Sequence, residues 1–374
     1  MFFKEVIGQD AIKLRLIQSV KEERVSHAQL FAGPEGSGKL ALALAYAQYV
    51  SCTNRQENDS CGECPSCKKI RKLIHPDLHF VFPVVKTPKL REPVSDNFID
   101  KWRQMLAGTP YFNVNQWFDQ IRVDNAQGMI YSHQSEEIIR KLNLKSYESE
   151  YKIMIIWLPE RMHESCANKL LKMIEEPPVK TLFILITESL EDIISTIRSR
   201  CQLISIPHIG EEPLAEALAK LPEAEGFDLK NIVHLAKGNY GKALELLQPD
   251  EQSLFNLERF KELMRLSYGR KFIELFVWVE QVASIGRERQ KNLLNYFLSS
   301  VRENFIYNLK NREITFLSDQ EEEFSKRFSP FINERNVQEL TEVFETGFGH
   351  IGMNGNPKVI FTDIAFKVTK LIRK

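Results

Sequence analysis

The sequence predicts an α/β fold, a parallel sheet with helices on both faces, followed by a helical remainder. Three observations predict it. Leu30-Phe31-Ala32 runs into Gly33-Pro-Glu-Gly-Ser-Gly-Lys39, a G-x-x-x-x-G-K loop, and then into an alanine- and leucine-rich helix. Two further apolar runs, Tyr151 to Trp157 and Thr181 to Thr187, are separated by a helical pattern. Beyond about residue 208 the periodicity is helical almost throughout. Buried strands alternating with helices imply a parallel sheet covered on both sides.

Taken in order, residues 9–22 place Ala11, Ile12, Leu14, Leu16, Ile17 and Val20 roughly on one helical face. His27 to Ala32 reads as the first strand. In the loop that follows, backbone N–H groups form an anion nest. The helix N-terminus adds partial positive charge, and Lys39 reaches the outer phosphates of a nucleotide. Gly33, Gly36, Gly38 and Lys39 are therefore the candidate nucleotide-binding residues, with ATP the expected ligand if any binds. The next position breaks the pattern. A hydroxyl residue there helps hold Mg²⁺, and the chain has Leu40.

Ser135 with Glu136 and Glu137 reads as an N-cap and acidic first turn of a helix. It leads to the strand Tyr151 to Trp157. In P-loop ATPases this strand ends in an Asp that supports Mg²⁺, often followed by a Glu that orients water. Here the two places are Trp157 and Leu158. Glu160 opens a helix over Glu164 to Glu176 that Pro177-Pro178 stops. A third strand, Thr181 to Thr187, ends in polar Thr187-Glu188. A short helix then carries Ile193, Ile194 and Ile197 into Arg198-Ser199-Arg200-Cys201-Gln202, and Leu203 to Ile206 makes a fourth strand closed by Pro207.

Four of the six cysteines crowd into residues 52–67 as C-x8-C-x2-C-x2-C: Cys52, Cys61, Cys64 and Cys67. Two-residue spacings let neighbouring thiolates face one ion, and four thiolates close a tetrahedral Zn²⁺ site with no open position. The predicted metal is structural. His75, before Pro76, reads as a turn residue. This cysteine usage fits a metal module in a reducing compartment better than a secreted disulfide framework, and the charged N-terminus does not read as a signal peptide. A cytoplasmic protein without a membrane partner is expected. Fifty basic and fifty acidic residues cancel, which argues against a surface that grips nucleic acid everywhere. Residues 80–125, rich in aromatics (Phe82, Trp102, Tyr111, Phe112, Trp117, Phe118) and interrupted by Pro83, Pro88, Pro93 and Pro110, cannot form one long helix. Their aromatics are expected to pack onto their own domain, with an interaction surface as the alternative.

These stretches together resemble the clamp-loader subunits of bacterial DNA polymerase III, within the AAA+ ATPase class. The matching residues are Val6 to Asp10, His27 to Phe31, the P-loop, the cysteine cluster, His75-Pro-Asp77, Ala167 to Pro178 and Ile197 to Gln202. The resemblance implies a ring-like hetero-oligomer of motor subunits and a second single-copy subunit. Such a ring opens a sliding clamp and places it on primer-template DNA. Leu40, Trp157 and Leu158 resemble the non-hydrolysing members of the family, not its motors. The resemblance also implies that Arg200, flanked by Ser199 and Cys201, serves as an arginine finger for a neighbour's ATP site. A guanidinium suits this role, being planar, permanently charged and multidentate.

The same comparison divides the chain into an AAA+ P-loop domain at 1–207, with the zinc module at 52–67 and an insertion at about 80–125. A helical lid follows at 208–250 and a helical collar for oligomerisation at 251–374. Lys242, in Ala236 to Leu244, is the nearest counterpart of the nucleotide-sensing arginine found in motor lids. Two other readings remain open from sequence: an ATP-hydrolysing motor subunit of the same loader, and an unrelated zinc-containing P-loop factor of DNA repair or helicase loading.

Overall fold

The computed structural model describes residues 1–87, 90–121, 128–225, 227, 229–247, 251–309, 317 and 319–374. Pro88 and the expected lid–collar boundary at 248–250 lie outside them. The described residues divide into two compact units, one up to Leu247 and one beyond it.

In the first unit the strands are β1 (Ala28–Ala32), β2 (Leu78–Val81), β3 (Lys152–Trp157), β4 (Thr181–Thr187) and β5 (Gln202–Ser205). Its helices are α1 (Asp10–Lys21), α2 (Lys39–Ser51), α3 (Pro65–Arg71), α4 (Ile99–Gly108), α5 (Val114–Ile121) and α6 (Gln134–Asn143). They continue with α7 (Glu164–Glu175), α8 (Ser195–Arg198), α9 (Glu211–Leu218), α10 (Leu229–Ala236) and α11 (Tyr240–Leu247). The sheet is wholly parallel in the order β2-β3-β4-β1-β5. Every residue of β1, β3 and β4 is buried, so both faces are covered. One face (Leu30, Met154, Ile156, Phe183, Leu185) packs on Ile138 and Leu142 of α6 and Leu170 and Ile174 of α7. β5 is the edge, with three of its four residues exposed.

Two details depart from the sequence reading. β2 is a fifth strand that the sequence reading did not include, and it forms the other edge of the sheet. Helix α6 begins two residues earlier than expected, with His133 as N-cap. The Ser135 hydroxyl donates to the Ser132 carbonyl instead of capping the helix.

The described residues of the 80–125 segment fold onto their own unit. Trp102, fully buried, stacks on Phe82 at 4.2 Å between ring centroids and meets Trp117, Phe112 and Trp157 at 5.2–5.4 Å. These aromatics therefore continue the core past the end of β3. Entry to β2 is fixed by Asp77. Its carboxylate accepts backbone N–H bonds from Tyr147, Glu148 and Ser149 at 2.7–2.8 Å. Those bonds hold its pKa below the usual carboxylate range, against the opposing pull of burial.

The second unit is helical: α12 (Glu251–Gly269), α13 (Phe272–Ala283), α14 (Arg287–Asn308), α15 (Asp319–Phe328), α16 (Val337–Gly352) and α17 (Pro357–Leu371). Phe260, Trp278, Phe297, Phe344 and Phe361 are at its centre. Asn356 caps α17 by accepting the Lys358 N–H, with Pro357 at the first helical position. Among the described residues no helix is long and apolar enough to cross a membrane.

Candidate functional site

The loop from Gly33 to Lys39 joins the end of β1 to the start of α2. This is the strand-to-helix context in which a glycine loop cradles phosphate. Gly36 and Gly38 both have positive φ, +70° and +87°, a conformation that side-chain-bearing residues rarely adopt. Lys39 is 5% exposed, and its ε-amine donates to the carbonyls of Gly33, at 2.8 Å, and of Pro34. Burial lowers the Lys39 pKa, opposed by Glu188, Glu160 and Glu35.

The residues that the sequence sets against the Mg²⁺- and water-handling positions of P-loop ATPases carry no side-chain oxygen. Leu40, Trp157 and Leu158 are all buried. Two carboxylates, those of Glu188 and Glu160, stand near Lys39, and the latter does not open the helix that starts at Glu164. Glu160 lies in a single 3₁₀ turn after β3, where its Oε1 accepts the Glu188 N–H at 3.0 Å. Burial raises its pKa. Glu188 is exposed as a residue, but protein crowds its carboxyl. That desolvation pushes it up to about 7 against the pull of Lys39.

The crevice beside the loop is lined by parts of the chain far apart in sequence. Gln9 donates to the carbonyls of Ser37 (3.1 Å) and Pro207 (2.7 Å). Tyr240 N–H donates to the Gly36 carbonyl at 3.3 Å, and the Asn239 amide donates to Glu35 at 3.3 Å. Tyr111 accepts the Ile7 N–H at 2.9 Å and packs edge-on against Tyr240 at 4.9 Å. Lys242 is exposed on the first turn of α11. Nothing in the sequence pattern pairs residue 7 with 111 or 36 with 240.

Cys52 caps the end of α2, and Cys64 caps the start of α3 by accepting the Cys67 N–H. The four sulfurs of Cys52, Cys61, Cys64 and Cys67 lie within 4.8 Å of one another. The Cys52–Cys61 and Cys61–Cys67 separations are 3.5 and 4.0 Å. A tetrahedral ion with Zn–S bonds of ~2.3 Å requires sulfurs ~3.8 Å apart, so the set fits zinc. Backbone N–H groups of Cys61, Cys64 and Cys67 point at sulfurs of the cluster at 3.3–3.4 Å, an arrangement that favours thiolate. His75 stands apart from this set. Its Nδ1 accepts the Asp77 N–H.

Ser199, Arg200 and Cys201 lie between α8 and β5. Since β5 runs parallel to β1, Arg200 is at the end of the sheet opposite the P-loop. The four residues of β5 alone put roughly 13 Å of backbone between the two ends. Arg200 is exposed, and Cys201 is half-buried. The guanidinium meets Glu175, the last residue of α7, at 2.6 Å and donates to the Thr196 carbonyl at 3.0 Å.

The family model for DNA polymerase III, delta subunit, matches residues 8–210, more than half of the chain. The chain belongs to this family. It is 27% identical over 266 residues to the DNA polymerase III subunit delta′ of Bacillus subtilis, covering 71% of this chain and 67% of that one. It is also 27% identical over 236 residues to the Escherichia coli subunit delta′, covering 63% and 59%. The Bacillus subtilis subunit tau is 27% identical over 250 residues, which span 66% of this chain but 37% of tau.

Proposed function

We propose that this chain is a non-hydrolysing clamp-loader subunit of the delta′ type, supporting sliding-clamp loading in DNA replication. It donates Arg200 to the ATP site of a neighbouring motor subunit. The observation that carries this reading is the absence of side-chain oxygen at Leu40, Trp157 and Leu158, all buried, in a chain whose loop otherwise keeps its glycines. Hydrolysis needs Mg²⁺ and an oriented water, and these three side chains offer neither a ligand nor a base.

The placement of Arg200 supports its role in trans. It lies across the sheet from its own P-loop, so the phosphates it can approach are another subunit's. In the isolated chain its partner is Glu175, with side chains 40% and 38% exposed. An exposed pair of this kind is worth about 0–1 kcal/mol and exchanges readily for a phosphate. The partners are then the motor subunits, a second single-copy subunit and, through the assembly, the clamp and primer-template DNA. Residues 251–374 serve as the collar that holds the ring, 208–250 as the lid, and the four cysteines hold a structural zinc.

Three measurements test the reading. The purified chain should show no ATP turnover; brisk hydrolysis would make it a motor. In a reconstituted loader, Arg200→Ala should depress DNA-stimulated ATPase while the complex still assembles; unchanged ATPase would remove the finger. Metal analysis should find one zinc per chain, lost in Cys64→Ser.

A further inference from the structure

We infer that the nucleotide crevice of this chain is filled by the chain itself, with Tyr111 as the occupant. The site is marked out by the fold. A ligand whose phosphates rest on the N-terminus of α2 must place the remainder of its body beside that loop, against the segments that flank it. In this structure Tyr111 lies against Gly38 of that loop and Asn239 against Gly36.

The Tyr111 ring is so close to the loop that a Cβ built on Gly38 would lie 3.1 Å from it. The residue is 6% exposed. Its hydroxyl oxygen accepts the Ile7 N–H, and its ring packs on Tyr240. A flat ring in a slot, with one polar atom bonded to a backbone amide, makes the contacts that a heteroaromatic base would otherwise make. The neighbouring walls close on the loop in the same way. A Cβ on Gly36 would meet the Asn239 side chain, and one on Gly241 would lie 2.8 Å from the Tyr111 carbonyl. Gln116, on helix α5 that follows Tyr111, bonds Glu245 of α11 at 3.3 Å. Tyr111 and Gln116 therefore tie α11 to the loop from both sides of α5's start. The Lys39 amine, which would meet phosphate in a nucleotide-bound loop, is instead bonded to the loop's own carbonyls.

This explains why a glycine loop persists in a chain without magnesium ligands. The positive-φ glycines are needed for the close packing of Asn239 and Tyr111, independent of any phosphate. The inference rests on reading Gly33–Lys39 as a nucleotide-type loop and deepens the proposal above, but it stands or falls separately from the role of Arg200.

The test is titration of the full chain with a fluorescent ADP analogue, with and without Mg²⁺, in wild type, Tyr111→Phe, Tyr111→Leu and Tyr111→Ala, each checked by circular dichroism. Wild type and Tyr111→Phe, which keep the ring, should show no saturable binding. Tyr111→Ala should bind, tighter by about tenfold or more. Tyr111→Leu, which retains apolar bulk and therefore folding, should bind to an intermediate degree. Micromolar binding by wild type would overturn the inference. So would a folded Leu or Ala variant that binds no better than wild type. Neither result bears on the ATPase defect of Arg200→Ala in the assembled loader, so the two proposals fail independently.

Discussion

The two ends of one sheet have been treated in opposite ways. At the C-terminal end of β1 the loop is packed: Lys39 is turned onto its own loop, Tyr111 and Asn239 lie against the glycines, and Leu40 is buried. At the opposite end, Arg200 is exposed on a short turn and held by the Glu175 carboxylate, the Thr196 carbonyl and the Ser199 hydroxyl. The difference teaches that, on the proposed reading, a nucleotide-type scaffold can offer two separable sites. Packing at one end is expected to leave the other unchanged, because the buried strands β1 and β4 lie between them.

The largest expected effect is at the open end. Arg200→Ala should reduce turnover at the adjoining motor site by ~10³ or more, the usual worth of an arginine finger, with melting of the isolated chain unchanged. A parallel loss of thermal stability would mean that Arg200 is a structural residue and the comparison is wrong. At the packed end the response should be reversed. Trp102→Ala removes the ring on which Phe82, Trp117 and Trp157 converge and should cost about 3–5 kcal/mol in denaturant unfolding. Leu40→Thr sharpens the comparison further. It restores a hydroxyl but neither carboxylate at Trp157 and Leu158, so the isolated chain should remain without ATP turnover.

The pH response should also belong to the packed end. The Glu188 carboxyl titrates near 7, above the ordinary value of 4.5. Between these values the folded chain holds a proton that the unfolded chain has released. Stability should therefore decline as pH rises from about 4.5 to about 7. In Glu188→Gln that slope should flatten, as measured by thermal melts across the window; an unchanged slope would assign the titration elsewhere. The smallest effect is expected for Glu175→Gln. It should alter stability by no more than ~1 kcal/mol, because the pair it breaks is exposed.

What could be read from the sequence follows from how local each signal is. The P-loop, the buried strands β3 and β4, and α7 ending at Pro177-Pro178 are each written in consecutive residues. The cysteine cluster is legible because two-residue spacings by themselves bring sulfurs together. Strand β2 was not, since Leu78-His-Phe-Val81 merges into an aromatic, proline-broken stretch and is only four residues long. Tyr111 had no visible role because its contacts, Ile7, Gly38 and Tyr240, lie about 100 residues or nearly as far away in either direction. Glu175 was likewise unremarkable as one acid in a Glu-Glu-Pro-Pro run. Only the end-to-end geometry of α7 and β5 brings it to Arg200.

The clasp at Asp77 has a consequence for how the molecule comes apart in acid. Three amides converge on one carboxylate, and protonating it leaves them with a poorer acceptor all at once. Its depressed titration means that this contribution is intact above the ordinary aspartate range and disappears as pH falls through the lower folded value. The β2 border should therefore loosen ahead of the buried middle strands during acid unfolding, and amide exchange at Tyr147 to Ser149 should register it early.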